Sequence, residues 1–251
     1  MRLMEKLDLL AFGAHPDDTE LSCSGTLAKL IKQGIRAGVV DLTRGEMGSR
    51  GTPEIRLKEA DVASKILGLS IRDNLKLKDT QLLNIRENHL PIIQKVRQYQ
   101  PHLCLLPARS DRHPDHGHAS QLLIDALFYS GLQKIETMGE NGEVQNPHRP
   151  AHIVHYIQDE FMVPDFIFDI SDTIETKEQA IKAFKTQFNV KDPGDEPSTY
   201  ISEPGFFEAL RARAKMVGHM AGYSYGEGFL YHKKPFPVSD FSFLMGTNPK
   251  R

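Results

Sequence analysis

From Leu7 to Gly131 the chain alternates short apolar runs with segments of helical period, and this alternation limits the possible folds more than any other feature. Leu7 to Phe12, Ala37 to Leu42, Asn74 to Leu77 and Leu103 to Leu106 read as strands. Four helices are predicted between and after them. Thr26 to Gln33 carries Leu27, Leu30 and Ile31 on one side and stops at Gly34. Pro53 to Leu67 follows Thr52 as N-cap and stops at Gly68. A third runs towards Tyr99, with Pro91 starting or kinking it, and Gly117 to Tyr129 ends at Gly131. Parallel strands need crossover connections of this kind. The expected fold is therefore α/β, a Rossmann-like, mostly parallel sheet with helices on both faces.

Beyond Gly131 the pattern changes. Thr137 to Pro150 reads as a loop, followed by strands at Ile153 to Ile157 and Phe166 to Ile170. A helix from about Ile174 places Ile181, Phe184 and Phe188 on one face. Asn189 to Gly205 reads as a mobile loop, Phe206 to Val217 as a helix and Gly228 to Tyr231 as a late strand. Without repeats or low-complexity segments, residues 1–251 read as one domain with a C-terminal extension. A net charge of -2, from 31 basic and 33 acidic residues, gives no reason to expect nucleic acid or an anionic membrane as partner. No apolar run approaches the ~20 residues of a membrane span. No long apolar segment opens the chain, so a cytoplasmic location is expected. Cys23 and Cys104 lie in or beside apolar stretches and read as free thiols.

Two polar motifs interrupt this pattern. Ala14-His15-Pro16-Asp17-Asp18 follows the first strand directly, with Gly13 allowing the turn. Asp111-Arg112-His113-Pro114-Asp115-His116-Gly117-His118 follows the strand ending at Leu106. In a parallel sheet the carboxyl ends of the strands share one edge, so the motifs can converge there. Two histidines and one carboxylate form a common catalytic zinc set, and suit Fe(II) equally. A cation so held acidifies water and polarises a carbonyl, and a spare carboxylate can take the proton. Taken singly, Asp17 and Asp18 could cap a helix, and His113, His116 and His118 could be surface residues. Two such clusters, each after an apolar strand, argue jointly for a site.

The pairing of Ala14-His15-Pro16-Asp17-Asp18 with His113-Pro114-Asp115-His116 resembles the LmbE-like, or PIG-L, family of zinc-dependent N-deacetylases. The resemblance extends from the first strand to Gly226-Glu227-Gly228-Phe229. Asp41-Leu42-Thr43-Arg44-Gly45-Glu46 and the whole layout look most like the bacillithiol-biosynthesis deacetylases, which act on N-acetylglucosaminyl malate. The resemblance implies hydrolysis of the acetamide of an N-acetylglucosamine conjugate to acetate and a free amine. It implies His15, Asp18 and His116 as ligands of Zn(II), with Fe(II) as the other metal. Asp17 would be the general base and later the acid, and His113 would stabilise the oxyanion as an imidazolium. Asp115 would orient a histidine.

Arg56, in the first turn of its helix, gains nothing from the helix dipole and is expected to contact substrate. Arg50 or Arg109 would pair with a malate carboxylate. Tyr200 would assist the oxyanion from the late loop, although Phe206, the nearest local match, has no hydroxyl. His219 and Tyr223 read more simply as packed helix-end residues. The implied partner is a small glycoside, and similar enzymes often form homo-oligomers, hexamers among them. Three alternatives compete: a deacetylase of another N-acetyl sugar conjugate, a non-haem Fe(II) oxygenase, and a non-catalytic sugar- or nucleotide-binding module. Oxygen activation has no need of Asp17, and a binding module has no need of a complete set of ligands and base.

Overall fold

The computed structural model describes residues 6–188, 197–203, 205–233 and 235. The first half alternates as expected: β1 (Leu9–Gly13), α1 (Asp18–Lys32), β2 (Ala37–Thr43), α2 (Pro53–Leu67), β3 (Ile71–Leu77), α3 (Arg86–Tyr99), β4 (Leu103–Leu106) and α4 (Pro114–Tyr129). Then follow β5 (His152–Tyr156), β6 (Phe166–Asp169), α5 (Ile174–Lys182), a 3-10 turn at Tyr200–Ser202, α6 (Phe206–Met220) and β7 (Gly226–Tyr231). One seven-stranded sheet results, in the order β3-β2-β1-β4-β5-β7-β6. The first five strands in that order pair in parallel.

The period of two along β1 divides the core. Leu10 and Phe12 face α3 and α4, where Ile92, Val96, Leu122 and Leu123 pack on them. Leu9 and Ala11 face the other way, towards Cys23 and Leu27 of α1. Because β1 is covered on both faces, its run is apolar throughout. From β1 the chain builds outward first to β2 and β3, then back past β1 to β4. This reversal opens a crevice at the carboxyl ends of β1 and β4, which is where both motifs begin.

Besides shifts of about one turn or less at other element ends, such as β3 starting at Ile71 and α6 running on to Met220, the structure departs from the sequence reading in four places. Helix α1 begins at Asp18, not Thr26. Its first turns bury Thr19, Glu20, Ser22 and Ser24, so apolar period is absent where polar partners do the packing; Arg72, for example, donates to Glu20 Oε1 at 2.6 Å. Helix α4 begins at Pro114 rather than Gly117, which puts His116 in its first turn. Helix α5 ends at Lys182, so Phe184 and Phe188 pack beside Ile181 from the turns beyond it. Finally, the C-terminal part is no simple extension, because β7 inserts between β5 and β6, antiparallel to both. Residues 189–196 and 204 of the expected mobile loop, and residues 236–251, lie outside the described residues.

A buried ion pair ties β7 and α5 to α1. Glu227 accepts from the Gly25 and Thr26 amides at 3.0 and 2.8 Å and from Lys177 Nζ at 2.6 Å. Lys177 also donates to the Leu21 carbonyl at 2.8 Å. Removing one partner of a buried pair leaves the other charge unpaired. Lys177→Met is therefore expected to lower the free energy of unfolding by about 3–5 kcal/mol, read by chemical denaturation. A loss below about 1 kcal/mol would show that the pair contributes no more than a surface bridge.

Candidate active site

His15 and Asp17 stand in the turn after β1, and Asp18 opens α1. His113 is the N-cap of α4, Pro114 takes the first helical position, and His116 lies in the first turn. The two motifs meet. Ring nitrogens of His15, His113 and His116 all lie within 4.8 Å of one another. Asp18 spans two of them, with Oδ2 3.5 Å from His15 Nδ1 and Oδ1 3.2 Å from His116 Nε2.

The far nitrogens of those two histidines are anchored by carboxylates. His15 Nε2 lies 3.1 Å from Asp79 Oδ1 and 3.3 Å from Asp115 Oδ2. His116 Nδ1 lies 2.5 Å from Asp111 Oδ2. These carboxylates are themselves held by main-chain amides: Asp79 by Met47, Asp115 by Thr80, and Asp111 by Asp159 and Glu160. A carboxylate behind each ring fixes its orientation and turns the other nitrogen toward Asp18. Burial disfavours a charged His116, but Asp18 and Asp111 outweigh it and raise its pKa to about 9. His15 is raised in the same way, against its burial, by Asp115, Asp18 and Asp79. The donor set of His15, Asp18 and His116 thus fits a divalent cation.

His113 is held differently. Its Nδ1 accepts the Asp115 amide at 3.2 Å, so the neutral ring carries its proton on Nε2. Burial, then the neighbouring His15 and His116, lowers its pKa below the usual value. This favours a neutral His113, an N–H donor beside the cation site, over the expected imidazolium.

Asp17 adopts a φ of 125°, a region that L residues rarely enter and that commonly marks functional strain. Its Oδ2 accepts from Arg56 Nη2 at 3.1 Å, and the same nitrogen donates to Gln187 Oε1 at 2.5 Å. Gly45, at φ 65°, leaves room for the guanidinium, with which a Cβ would collide. Burial dominates the Asp17 carboxyl and raises its pKa; Arg56 opposes, Asp18 adds, and the balance is about 7. Arg56 lines the cavity, but its Nη2 is engaged by the carboxylate and Gln187 rather than held ready for substrate.

A cavity of about 410 Å³ opens over these groups. Leu21, Ile157, Pro164, Leu210 and Val217 give it an apolar side. Tyr200 lines it with its hydroxyl donating to Asp159 at 3.1 Å and the Arg112 guanidinium 4.5 Å over its ring. Phe206 lines it too and stacks on Phe188. Two expectations are corrected here. Arg50 lines the cavity but is buried and donates to the Thr186 and Pro197 carbonyls at 3.0 and 2.8 Å, so its guanidinium braces loops. Arg109 is exposed, bonds the His232 carbonyl at 2.7 Å, and is not among the cavity's lining residues. His219 is exposed, so it is no packed residue, and neither it nor Tyr223 lines the cavity.

Sequence reasoning missed Asp79, Asp111, Gln158 and Gln187. Asp111 sat inside the second motif. Asp79 and Gln158 lie just past the ends of β3 and β5, on the same sheet edge as the motifs, and that placement was the available signal. Gln187 offered none.

A family model described as PIG-L, GlcNAc-PI de-N-acetylase, matches residues 10–127. Diacetylchitobiose deacetylase of Thermococcus kodakarensis is 30% identical over 233 residues, spanning 89% of this chain and 82% of that protein. A conserved protein of Thermus thermophilus superposes with a TM-score of 0.81 at 38% identity, covering 93% of this chain and 98% of the other. N,N'-diacetylchitobiose deacetylase from Pyrococcus horikoshii, complexed with an inhibitor, superposes at 0.73 with 26% identity, covering 91% and 86%. The fold alone does not select a reaction, since a 4-carboxy-2-hydroxymuconate hydratase of Pseudomonas putida superposes at 0.74 with 19% identity, covering 92% and 98%. Sequence similarity over most of both chains decides the matter: this chain belongs to the PIG-L, or LmbE-like, deacetylase family.

Proposed function

We propose that the protein is a metal-dependent N-deacetylase that hydrolyses the acetamide of an N-acetylglucosamine conjugate, with N-acetylglucosaminyl malate of bacillithiol biosynthesis as its substrate. The observation that carries this reading is a buried carboxylate, Asp17, placed beside a cation-binding trio and a neutral histidine donor. His15, Asp18 and His116 would hold Zn(II) or Fe(II). When bound, the cation polarises the acetamide carbonyl and acidifies water. Asp17 takes the proton of the attacking water and returns it to the leaving nitrogen. Arg56 holds the Asp17 carboxylate in place. His113 donates Nε2–H to the oxygen on which negative charge develops. The C–N bond then breaks to give acetate and the free amine.

The choice of malate rests on the resemblance at Asp41 to Glu46, a segment that braces the site: Glu46 Oε1 accepts the Asp79 amide at 3.1 Å. With Arg50 braced against loop carbonyls and Arg109 outside the cavity, Arg112, half-exposed and paired with Asp159 at 2.8 Å, is the cavity-lining candidate for the malate carboxylates. The test is kcat/KM for N-acetylglucosaminyl malate, N-acetylglucosamine and diacetylchitobiose. The malate conjugate is expected to lead, and a lead for diacetylchitobiose would reject malate while keeping the deacetylase.

Asp111 supports the metal through His116. Asp111→Asn is expected to weaken Zn(II) binding about 10- to 100-fold, measured by competition with a chromophoric chelator. Unchanged affinity would remove Asp111 from that role.

A further inference from the structure

We propose that Gln158 is a displaceable ligand of the cation, supplying its side-chain carbonyl oxygen before substrate arrives. The inference rests on the metal-binding reading of His15, Asp18 and His116. Gln158 stands just past β5, and its main-chain carbonyl accepts from Arg213 Nη1. Its side chain lies among the buried groups of the site. Nε2 donates to Asp18 Oδ1 at 2.7 Å and lies 3.4 Å from His116 Nε2, while those two ligand atoms are 3.2 Å apart. Neighbouring ligands on a tetrahedral ion with bonds of about 2.0–2.1 Å stand about 3.3 Å apart. The end of the carboxamide therefore stands at ligand-to-ligand spacing from two of the three donors, on the side from which a cation would be approached.

The other end of the amide points to the same conclusion. Gln158 Oε1 is buried and has no hydrogen-bond partner among the described residues. A buried carbonyl without a donor is costly and calls for an explanation. Half a turn about the last side-chain bond exchanges the oxygen and nitrogen. An N–H aimed at a cation sets like charge against like, whereas the turned amide presents oxygen lone pairs. The carbonyl then faces the cation, a partner that no described residue provides, and the amide gives up its Nε2–H bond to Asp18 in exchange. A neutral amide binds a hard cation less firmly than a carboxylate does, so water or a substrate carbonyl can replace it. Hydrolysis requires such an open position.

A displaceable ligand has a signature that a structural residue lacks. Removing it weakens the hold on the metal yet eases entry of an outside ligand. The experiment uses Gln158→Ala and Gln158→Leu, with melting of the metal-free proteins to confirm folding. Zn(II) affinity, the visible bands of the Co(II) protein and acetate binding to that Co(II) protein are measured. The variants are expected to bind Zn(II) about tenfold more weakly, to shift the Co(II) bands and to bind acetate several-fold more tightly. Wild-type affinity with unchanged bands would place the amide outside the coordination sphere and overturn the proposal. Parallel loss of metal and acetate binding would mark a structural role and overturn it too. A wild type that binds no metal would overturn the underlying metal reading with it, whereas variants that match a metal-binding wild type would overturn this inference alone.

Discussion

Asp17→Asn lowers kcat by about 100- to 10,000-fold and leaves the cation bound. The substitution keeps the size of the side chain, and asparagine tolerates positive φ better than most residues, which matters at a backbone φ of 125°. What disappears is the group that accepts a proton. Arg56 retains Gln187 as an acceptor, so its guanidinium is not stranded. The pH dependence follows from the same group. Burial raises Asp17 to about 7, and only its ionised form can act as base. Wild-type kcat/KM should fall as pH drops through that pKa, and the acid limb should vanish in the variant. Kinetics paired with metal analysis check this; loss of metal from the variant would make Asp17 a ligand instead.

His113→Asn lowers kcat by about 100- to 1,000-fold with little change in metal content. The choice of asparagine separates two functions of one side chain. His113 caps α4 through Nδ1, and asparagine is among the best capping residues, so the helix start survives. Asparagine does not reach the position of Nε2–H, so the donor to the developing oxyanion is lost. The three-histidine cluster makes His113 the obvious rival ligand. Metal analysis settles the rivalry: a one-to-one complex in His113→Asn keeps it as donor, and an empty site would make it a ligand.

How far these roles could be read from sequence depended on whether the local chemistry left a pattern. Strands β1, β2 and β4 are covered on both faces and kept apolar runs that located them to within two residues. The helix α2 was framed correctly because Thr52, Pro53 and Gly68 are each favoured for a backbone reason, the last at φ 76°. The start of α1 was lost because Glu20 packs through Arg72, and Glu227 serves the amides of Gly25 and Thr26. Those partners lie far away in sequence, so no local period could report them. The site divided in the same way. His15, Asp17, Asp18, His113 and His116 share two short motifs at strand ends, and the fold brings them together. Asp115 was expected behind a histidine, and it lies 3.3 Å from His15 Nε2. Arg50 and Arg109 misled because a guanidinium satisfied by main-chain carbonyls looks, in sequence, like one that is free for a ligand.

The most direct measurement of the central claim is acetate release from N-acetylglucosamine conjugates by chelator-stripped protein, before and after one equivalent of Zn(II). The account predicts no release from the stripped protein and full recovery on reloading. Release that persists without metal would contradict it, as would a fully loaded site that frees no acetate from N-acetylglucosaminyl malate, N-acetylglucosamine or diacetylchitobiose.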